Sequence, residues 1–200
     1  WDEAFRAIAE VLRELDGERF AAIAGDLAAA EEMFALKLLA GQLGSPNIDC
    51  RQDGAKLDPA RGRATYLFNA TIEGIDHADA ILLIGTNPRH EAPVLNARIL
   101  KRWRQIQGKL PLGLIGTQAD LTYAYEHLGA GPETLAKLAD GSHAFLDKLK
   151  GAERPLVIVG QAALARPDGT AVLSRAAKAA MVMGAVKPDI DWNGFSVLHT

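Results

Sequence analysis

Cysteine and long apolar runs are what this sequence has least of. Its 200 residues include a single cysteine, Cys50, so no disulfide can form within the chain. One thiol also cannot hold an iron–sulfur cluster, which takes about four cysteine ligands. No apolar run approaches the roughly 20 residues that a membrane-spanning helix needs. The low cysteine content fits a reducing compartment, and we expect Cys50 to be buried as a small apolar side chain.

An excess of basic residues is also absent. The chain has 22 Lys and Arg against 25 Asp and Glu, a net charge of −3, which argues against nucleic-acid binding as its main role. The densest basic cluster, residues 101–104, is predicted to be the solvated end of a helix, with a contact to an acidic partner subunit as the alternative. No histidine pair has metal-ligand spacing, so we expect no metal site and surface or capping roles for the histidines. They are His77, His90, His127, His143 and His199.

Strand patterns alternate with helix patterns along the chain, which indicates parallel βαβ units. Hydrophobic residues make up 48% of the composition, enough for one α/β domain with its own core. We therefore predict a single domain over residues 1–200, with a Rossmann-like parallel sheet flanked by helices. The predicted strands are 20–24, 47–50, 80–84, 110–115 and 156–159. The predicted helices are 2–16, 27–42 capped by Asp26, a short one from Thr71, 91–107, 132–139, 143–150, one from Asp168 or Thr170 to about Met183, and one beginning at 197–200.

A polar turn, Gly85-Thr86-Asn87-Pro88, follows the most apolar of these strands. The carboxyl end of a strand is where open α/β sheets bind ligands, and a glycine there lets a ligand or neighbouring backbone approach closely. In one interpretation the turn holds a phosphate, with backbone N–H groups, the dipole of the next helix and Asn87 facing the anion. In the other it only ends the strand, with Asn87 bonding its own backbone.

The stretch ADAILLIGTNPRHEAP, residues 78–93, resembles the molybdopterin oxidoreductase superfamily. Within that superfamily the chain is most similar to the family of large iron–sulfur subunits of respiratory complex I, the NADH-quinone oxidoreductase. The likeness extends over four blocks in the same order, residues 63–99, 114–129, 138–164 and 192–200.

The resemblance implies that this chain is a C-terminal piece of a longer subunit, and both ends of the sequence look cut. The parent would relay electrons from NADH and flavin to quinone through 4Fe–4S and 2Fe–2S clusters, all in its N-terminal region. The piece itself would be a non-catalytic scaffold without cofactor. Its partners would be the N-terminal iron–sulfur region and other peripheral-arm subunits. The arm would lie on the cytoplasmic face of the bacterial inner membrane or the mitochondrial matrix side, with no direct membrane insertion.

The chain departs from the cofactor-bearing members of the superfamily at two places. Their next strand ends in a nucleotide-binding Asp-Pro-Arg-like turn, whereas here Gly116-Thr117-Gln118-Ala119 follows, and we expect Asp120 to be a helix or turn cap. Cys50 lies too close to its strand to match their metal ligand. We therefore interpret Gly85, Thr86, Asn87 and Pro88 as a degenerate cofactor loop, with no catalytic residue and no bound cofactor expected.

Two other functions stay open at this point. One is the cofactor-binding domain of an active molybdopterin oxidoreductase, such as a relative of formate dehydrogenase. The other is a nucleotide-binding α/β module with its ligand at residues 85–88, although no turn matches G-x-G-x-x-G. A further question concerns Tyr123, Tyr125, His127 and Leu128, for which we expect packing against the end of the sheet, with an exposed partner-binding patch as the alternative. Trp103 and Trp192 pose the same question.

Overall fold

A computed structural model describes residues 1–25, 27–50 and 54–199, which group into two compact units, Trp1–Asp53 and Gly54–Thr200. The first unit has one two-stranded sheet, and the second has a five-stranded sheet and a two-stranded antiparallel one. The assignment of residues 1–200 to one domain stays a prediction. The proposed helix cap Asp26 lies outside the described residues.

The first unit is a helix followed by one parallel βαβ motif. Its elements are α1 (Asp2–Glu14), β1 (Ala21–Ile23), α2 (Ala30–Gln42) and β2 (Asn47–Asp49). All four were predicted, with ends one to three residues shorter than expected. The side chain of Asn47 donates to the Glu18 carbonyl at 2.8 Å, which ties the start of β2 to the approach to β1.

Burial in this first unit is sparse. Ala22 and Ala40 are its only buried residues within the described part, and all three residues of β2 are exposed. Cys50, which directly follows β2, is exposed as well, so the expectation that it is buried was wrong. The strand that precedes it has no covered face, so an apolar environment for the thiol is missing.

The second unit carries the remaining elements around a five-stranded sheet. They are α3 (Thr71–Gly74), β3 (Ala80–Ile84), α4 (Pro88–Glu91), α5 (Pro93–Gln105), β4 (Leu112–Ile115), β5 (Glu126–Gly129), α6 (Pro132–Ala139), β6 (Pro155–Gly160), α7 (Gln161–Ala165), α8 (Gly169–Val182), β7 (Val186–Lys187), β8 (Trp192–Asn193) and β9 (Phe195–Leu198).

The five-stranded sheet is parallel throughout, in the order β5-β4-β3-β6-β9. The chain builds outward from β3 to β5 on one side and then returns to β6 and β9 on the other. The strand order therefore reverses between β3 and β6, which makes their carboxyl ends the topological switch point of the sheet. The predicted fold class, a Rossmann-like parallel sheet flanked by helices, is confirmed.

Side chains alternate between the two faces of this sheet because the strand repeat is two residues. On β3, Leu82 and Ile84 join a cluster with residues of α6 and α8, whereas Ile81 and Leu83 join a second cluster with residues of α5. All five residues of β3 are buried. This burial on both faces explains why the strand is a continuous apolar run in the sequence.

Several elements of the structure differ from the prediction. Helix α7 and strands β7 and β8 were not predicted, and the helix predicted over 143–150 is a 3₁₀ helix, Ala144–Leu149. Residues 197–200 were predicted to begin a helix, but Val197 and Leu198 end strand β9, which pairs with β6. Strand β5 was missed, since its residues were interpreted as irregular. The helix predicted over 91–107 is α5, which begins at Pro93 because Ala92, the residue before that proline, lies outside the helical region at φ −147° and ψ 73°. The short helix α4 before it was not predicted.

The helices of the described residues are short. The longest of them, α8, has 14 residues. Within residues 1–25, 27–50 and 54–199, no helix combines the length and apolar character that crossing a membrane requires.

Candidate functional site

A cavity of about 540 Å³ lies at the carboxyl edge of the five-stranded sheet. Its volume falls in the range of small-molecule sites. The predicted turn forms part of its wall through Gly85, Thr86 and Asn87. The rest of the wall comes from the turn after β4, the start of α6, and the segment from α7 to α8. The cavity therefore borders the switch point, where the sequence pattern placed a site.

The ends of β3 and β6 approach each other closely beside this cavity. Gly85 has φ +57°, and a Cβ built there would lie 2.5 Å from the Cβ of Ala163 in α7. A Cβ on Gly160 would lie 2.4 Å from the carbonyl oxygen of Gly85. Both glycines are thus required by contacts within the protein. Gly85 therefore allows a close approach within the protein, and the close approach of a ligand there stays a prediction.

Two donors of the 85–88 turn form hydrogen bonds with the carboxylate of Glu91, a contact that was not predicted from the sequence. Glu91 accepts the Thr86 hydroxyl at Oε2 and the Asn87 backbone N–H at Oε1, both at 2.7 Å. Thr86 is buried, with 5% of its surface exposed. Glu91 lies four residues after Asn87, one more than the spacing of a helix capping box, so the sequence carried no standard signal for this contact.

The side chain of Asn87 does not bond the backbone of its own turn, and its hydrogen bond to an anion stays a prediction. It makes no hydrogen bond that caps the helix after it. Its Oδ1 is buried and has no hydrogen-bond partner within the described residues. The turn is therefore held by its backbone and by Glu91, and the Asn87 amide is left beside the cavity that it lines.

An ion pair lies at the rim of the cavity on the α7–α8 side. The Arg166 guanidinium binds Asp168 through two contacts, Nε to Oδ1 at 2.8 Å and Nη2 to Oδ2 at 3.1 Å. These hydrogen bonds hold the pKa of Asp168 below its ordinary value. The positive charge of Arg166 and the negative charge of Asp168 are therefore paired with each other.

Asp120 caps a turn, as predicted. Its Oδ1 accepts the Thr122 N–H at 3.0 Å, and its other oxygen contacts the guanidinium of Arg89. The Thr122 amide, followed by Arg89, lowers the pKa of Asp120. The turn after β4 lines the cavity with residues 116–119, which include no acid.

The aromatic cluster packs against the end of the sheet, as expected. Tyr123 is buried, and its hydroxyl donates to Oδ1 of Asn96 at 2.7 Å; this burial raises the pKa of Tyr123. The Tyr125 hydroxyl donates to the Ala119 carbonyl at 2.7 Å. Trp103 and Trp192 also pack inward, and the indole of Trp192 donates to the Pro155 carbonyl at 2.9 Å.

The basic cluster at residues 101–104 lies in the last turns of α5. Lys101 pairs with Asp76 at 3.6 Å, and Arg102 Nε donates to the Ala78 carbonyl at 2.7 Å. Of the histidines, His143 caps a 3₁₀ turn by accepting the Phe145 N–H at 3.1 Å. Among the residues that the structure describes, no group of three or more His, Cys, Asp or Glu could hold a metal ion.

The described geometry defines a class: a parallel α/β unit of Rossmann type with a cavity at its switch point. The chain belongs to the molybdopterin oxidoreductase family, whose model matches residues 1–200. It is 41% identical over 198 residues to the NADH dehydrogenase [ubiquinone] iron-sulfur protein 1, mitochondrial, of Solanum tuberosum, covering 99% of this chain and 26% of that protein.

Two bacterial proteins show a similar likeness. They are NADH-quinone oxidoreductase subunits from Rickettsia bellii and Rickettsia conorii, each 42% identical over 199 residues. The match covers 100% of this chain and 28% and 29% of those proteins. The chain thus spans between a quarter and a third of the length of the relatives it matches. The predicted resemblance to the large subunits of complex I is confirmed.

Two cofactors are implied by the names of these relatives and of the family, an iron–sulfur cluster and a pterin dinucleotide. The residues of this chain do not fit either of them. An iron–sulfur cluster takes about four cysteines, and this chain has one. A pterin dinucleotide needs donors for its phosphates, and two donors of the 85–88 turn already serve Glu91.

Proposed function

We propose that this chain is a structural part of a complex I large subunit and takes no direct part in electron transfer. The parent subunit would relay electrons from NADH to quinone through iron–sulfur clusters held in its N-terminal region. The observation that carries this proposal is the 41–42% identity along the whole chain to subunits of NADH-quinone oxidoreductase, combined with a single cysteine.

The surface of the first unit supports a packing role. Helix α1 is strongly amphipathic and has no buried residue. Its apolar side chains Phe5, Ile8 and Val11 are 60%, 53% and 64% exposed. Contiguous exposed apolar side chains mark surfaces that bind other protein. In this proposal they contact the N-terminal iron–sulfur region or a neighbouring subunit of the peripheral arm, on the cytoplasmic or matrix side of the membrane.

Two measurements test this function. The 200-residue chain alone is expected to oxidise no NADH and to show no iron–sulfur signal by electron paramagnetic resonance after reduction. The parent complex carrying Phe5→Asp with Ile8→Asp is expected to lose peripheral-arm assembly, whereas the exposed polar-face change Glu10→Gln on the same helix leaves assembly intact. NADH oxidation by the isolated chain, or full assembly of the double variant, would contradict the proposal.

A second candidate is the cofactor-binding domain of an active molybdopterin oxidoreductase, which the family match favours. It requires molybdenum and pterin in the parent protein. Elemental analysis and pterin fluorescence of that protein separate the two functions. Molybdenum at one atom per subunit supports the second candidate, and iron without molybdenum supports the first.

A further inference from the structure

We propose that Glu91 is a specificity-determining residue that excludes phosphate-bearing ligands from the cavity at the switch point. Its carboxylate stands where the phosphate of a ligand bound at the 85–88 turn would stand. The cavity is present in this chain, but the Glu91 carboxylate occupies the part of it that would bind an anion.

Two donors of the 85–88 turn are already paired with Glu91. An anion at this turn would need the Asn87 backbone N–H and the Thr86 hydroxyl. Both donate to Glu91 at 2.7 Å, one to each carboxylate oxygen. A phosphate bound at a turn accepts hydrogen bonds from donors of the same kind. A ligand phosphate would have to displace Glu91 or share its donors.

The cavity wall has little positive charge that could stabilise a bound phosphate. Arg166 is the one cationic side chain among the described residues that line the cavity, and Asp168 binds it with two hydrogen bonds. The Asn87 side chain is a neutral amide, which can donate a hydrogen bond through Nδ2 but supplies no positive charge to an anion. No other described cation on the wall is therefore free to offset a second negative charge beside Glu91.

Electrostatic repulsion from Glu91 would also oppose a phosphate at this position. Two like charges at hydrogen-bond distance repel, and the repulsion is stronger where protein replaces water around them. Thr86 is buried and Asn87 is half-buried, so water screens this position poorly. Neutralising Glu91 is therefore expected to convert the turn from one that rejects phosphate to one that binds it.

The experiment titrates inorganic pyrophosphate into the full chain while the backbone amide of Asn87 is followed by ¹⁵N NMR. In the unmodified chain this amide is expected not to shift. In Glu91→Ala, which removes the charge and frees both donors, the amide is expected to shift saturably. In Glu91→Gln, which removes the charge but keeps a side chain that the pyrophosphate must displace, it is expected to shift at higher pyrophosphate concentrations. The dissociation constant of Glu91→Ala should lie roughly tenfold or more below the lower limit that the titration of the unmodified chain sets, equivalent to about 1.4 kcal/mol per tenfold.

The matched control is Glu73→Gln, which removes the same charge from an exposed position on α3 and should leave the titration unchanged. A capping role alone would make the Glu91 variants less stable without any gain in pyrophosphate binding, and that result would overturn the proposal. Pyrophosphate binding at the Asn87 amide of the unmodified chain, as tight as in the variants, would overturn it too. Glu91→Gln keeps the test informative if Glu91→Ala does not fold.

Discussion

The two units of the molecule use the same parallel βαβ pattern and differ in how well it is covered. In the second unit, every residue of β3 and β6 is buried between helices. In the first unit, every residue of β2 is exposed, and α1 buries none of its residues. A parallel sheet is stable when both of its faces are covered. The apolar periodicity of a helix or strand therefore shows which of its faces should pack against other residues. It does not show whether those residues lie nearby in the chain.

The largest expected effect is a core truncation in the second unit. Leu82→Ala removes a fully buried side chain of β3, and the lost transfer energy and the remaining cavity should lower the free energy of unfolding by about 2–5 kcal/mol. Ile8→Ala in α1 is the matched change, and it should cost at most about 0.5 kcal/mol because Ile8 is 53% exposed. Urea denaturation of both variants measures the difference. Equal costs would mean that the comparison between the units is mistaken.

A pair of glycines sharpens the same contrast. Gly160→Ala places a methyl group 2.4 Å from the Gly85 carbonyl oxygen, so backbone must move, at a cost of about 1–3 kcal/mol. Gly41→Ala in α2 meets no atom within 4 Å and should be neutral or stabilising by up to about 1 kcal/mol. Thermal unfolding of both variants checks the opposite signs, and a stable Gly160→Ala protein would show that the β3 and β6 turns are not in close contact.

A smaller effect is expected inside the aromatic cluster. Tyr123→Phe removes the hydroxyl that donates to Asn96 and leaves a buried acceptor unpaired, which should cost about 1–2 kcal/mol. The variant Tyr123→Phe with Asn96→Leu removes both groups of this bond but also the Asn96 Nδ2 donor of the Leu121 carbonyl, so its cost should be less than the sum of the two single changes. Unfolding free energies of the single and double variants decide the matter. No loss in Tyr123→Phe would contradict the buried hydrogen bond.

The smallest effect is a pH dependence at the exposed turn of Asp120. Its folded-state pKa lies below the unfolded value of about 3.9. The stability it contributes is therefore fully present above the unfolded pKa and is lost as the pH falls through the folded pKa. Carboxyl-carbon NMR titration should show this lowered pKa, and Arg89→Gln should move it back toward the ordinary value. A titration that Arg89→Gln leaves unchanged would remove Arg89 as a cause.

Several elements could be predicted because their local signals agree. The apolar run at 81–84, the break at Gly85 and the helix beginning at Pro132 combine composition with turn chemistry, and the structure has each of them. The ligand-sized cavity also lies where the turn predicted a site. These predictions need only neighbouring residues, since periodicity and turn preference act over a few positions.

Other features depend on distant parts of the chain. Val197 and Leu198 form a short apolar pair that periodicity cannot assign, and they become a strand because β6 lies beside them and Leu67 accepts the Val197 N–H at 3.0 Å. Strand β5 is half-buried at the edge of the sheet, so its sequence lacks the apolar run of an inner strand. Its existence follows from pairing with β4.

The sequence by itself determined the fold class, the position of the turn after β3 and the family likeness. Each of these can be recognised from residues that lie close together along the chain. Only the tertiary structure decided what the turn does with its donors. Ala92 bends the chain between α4 and α5, and Glu91 reaches Thr86 and Asn87 from the end of α4. A carboxylate becomes a partner of those donors only when the backbone brings it within hydrogen-bond distance, and that distance is a property of the folded chain.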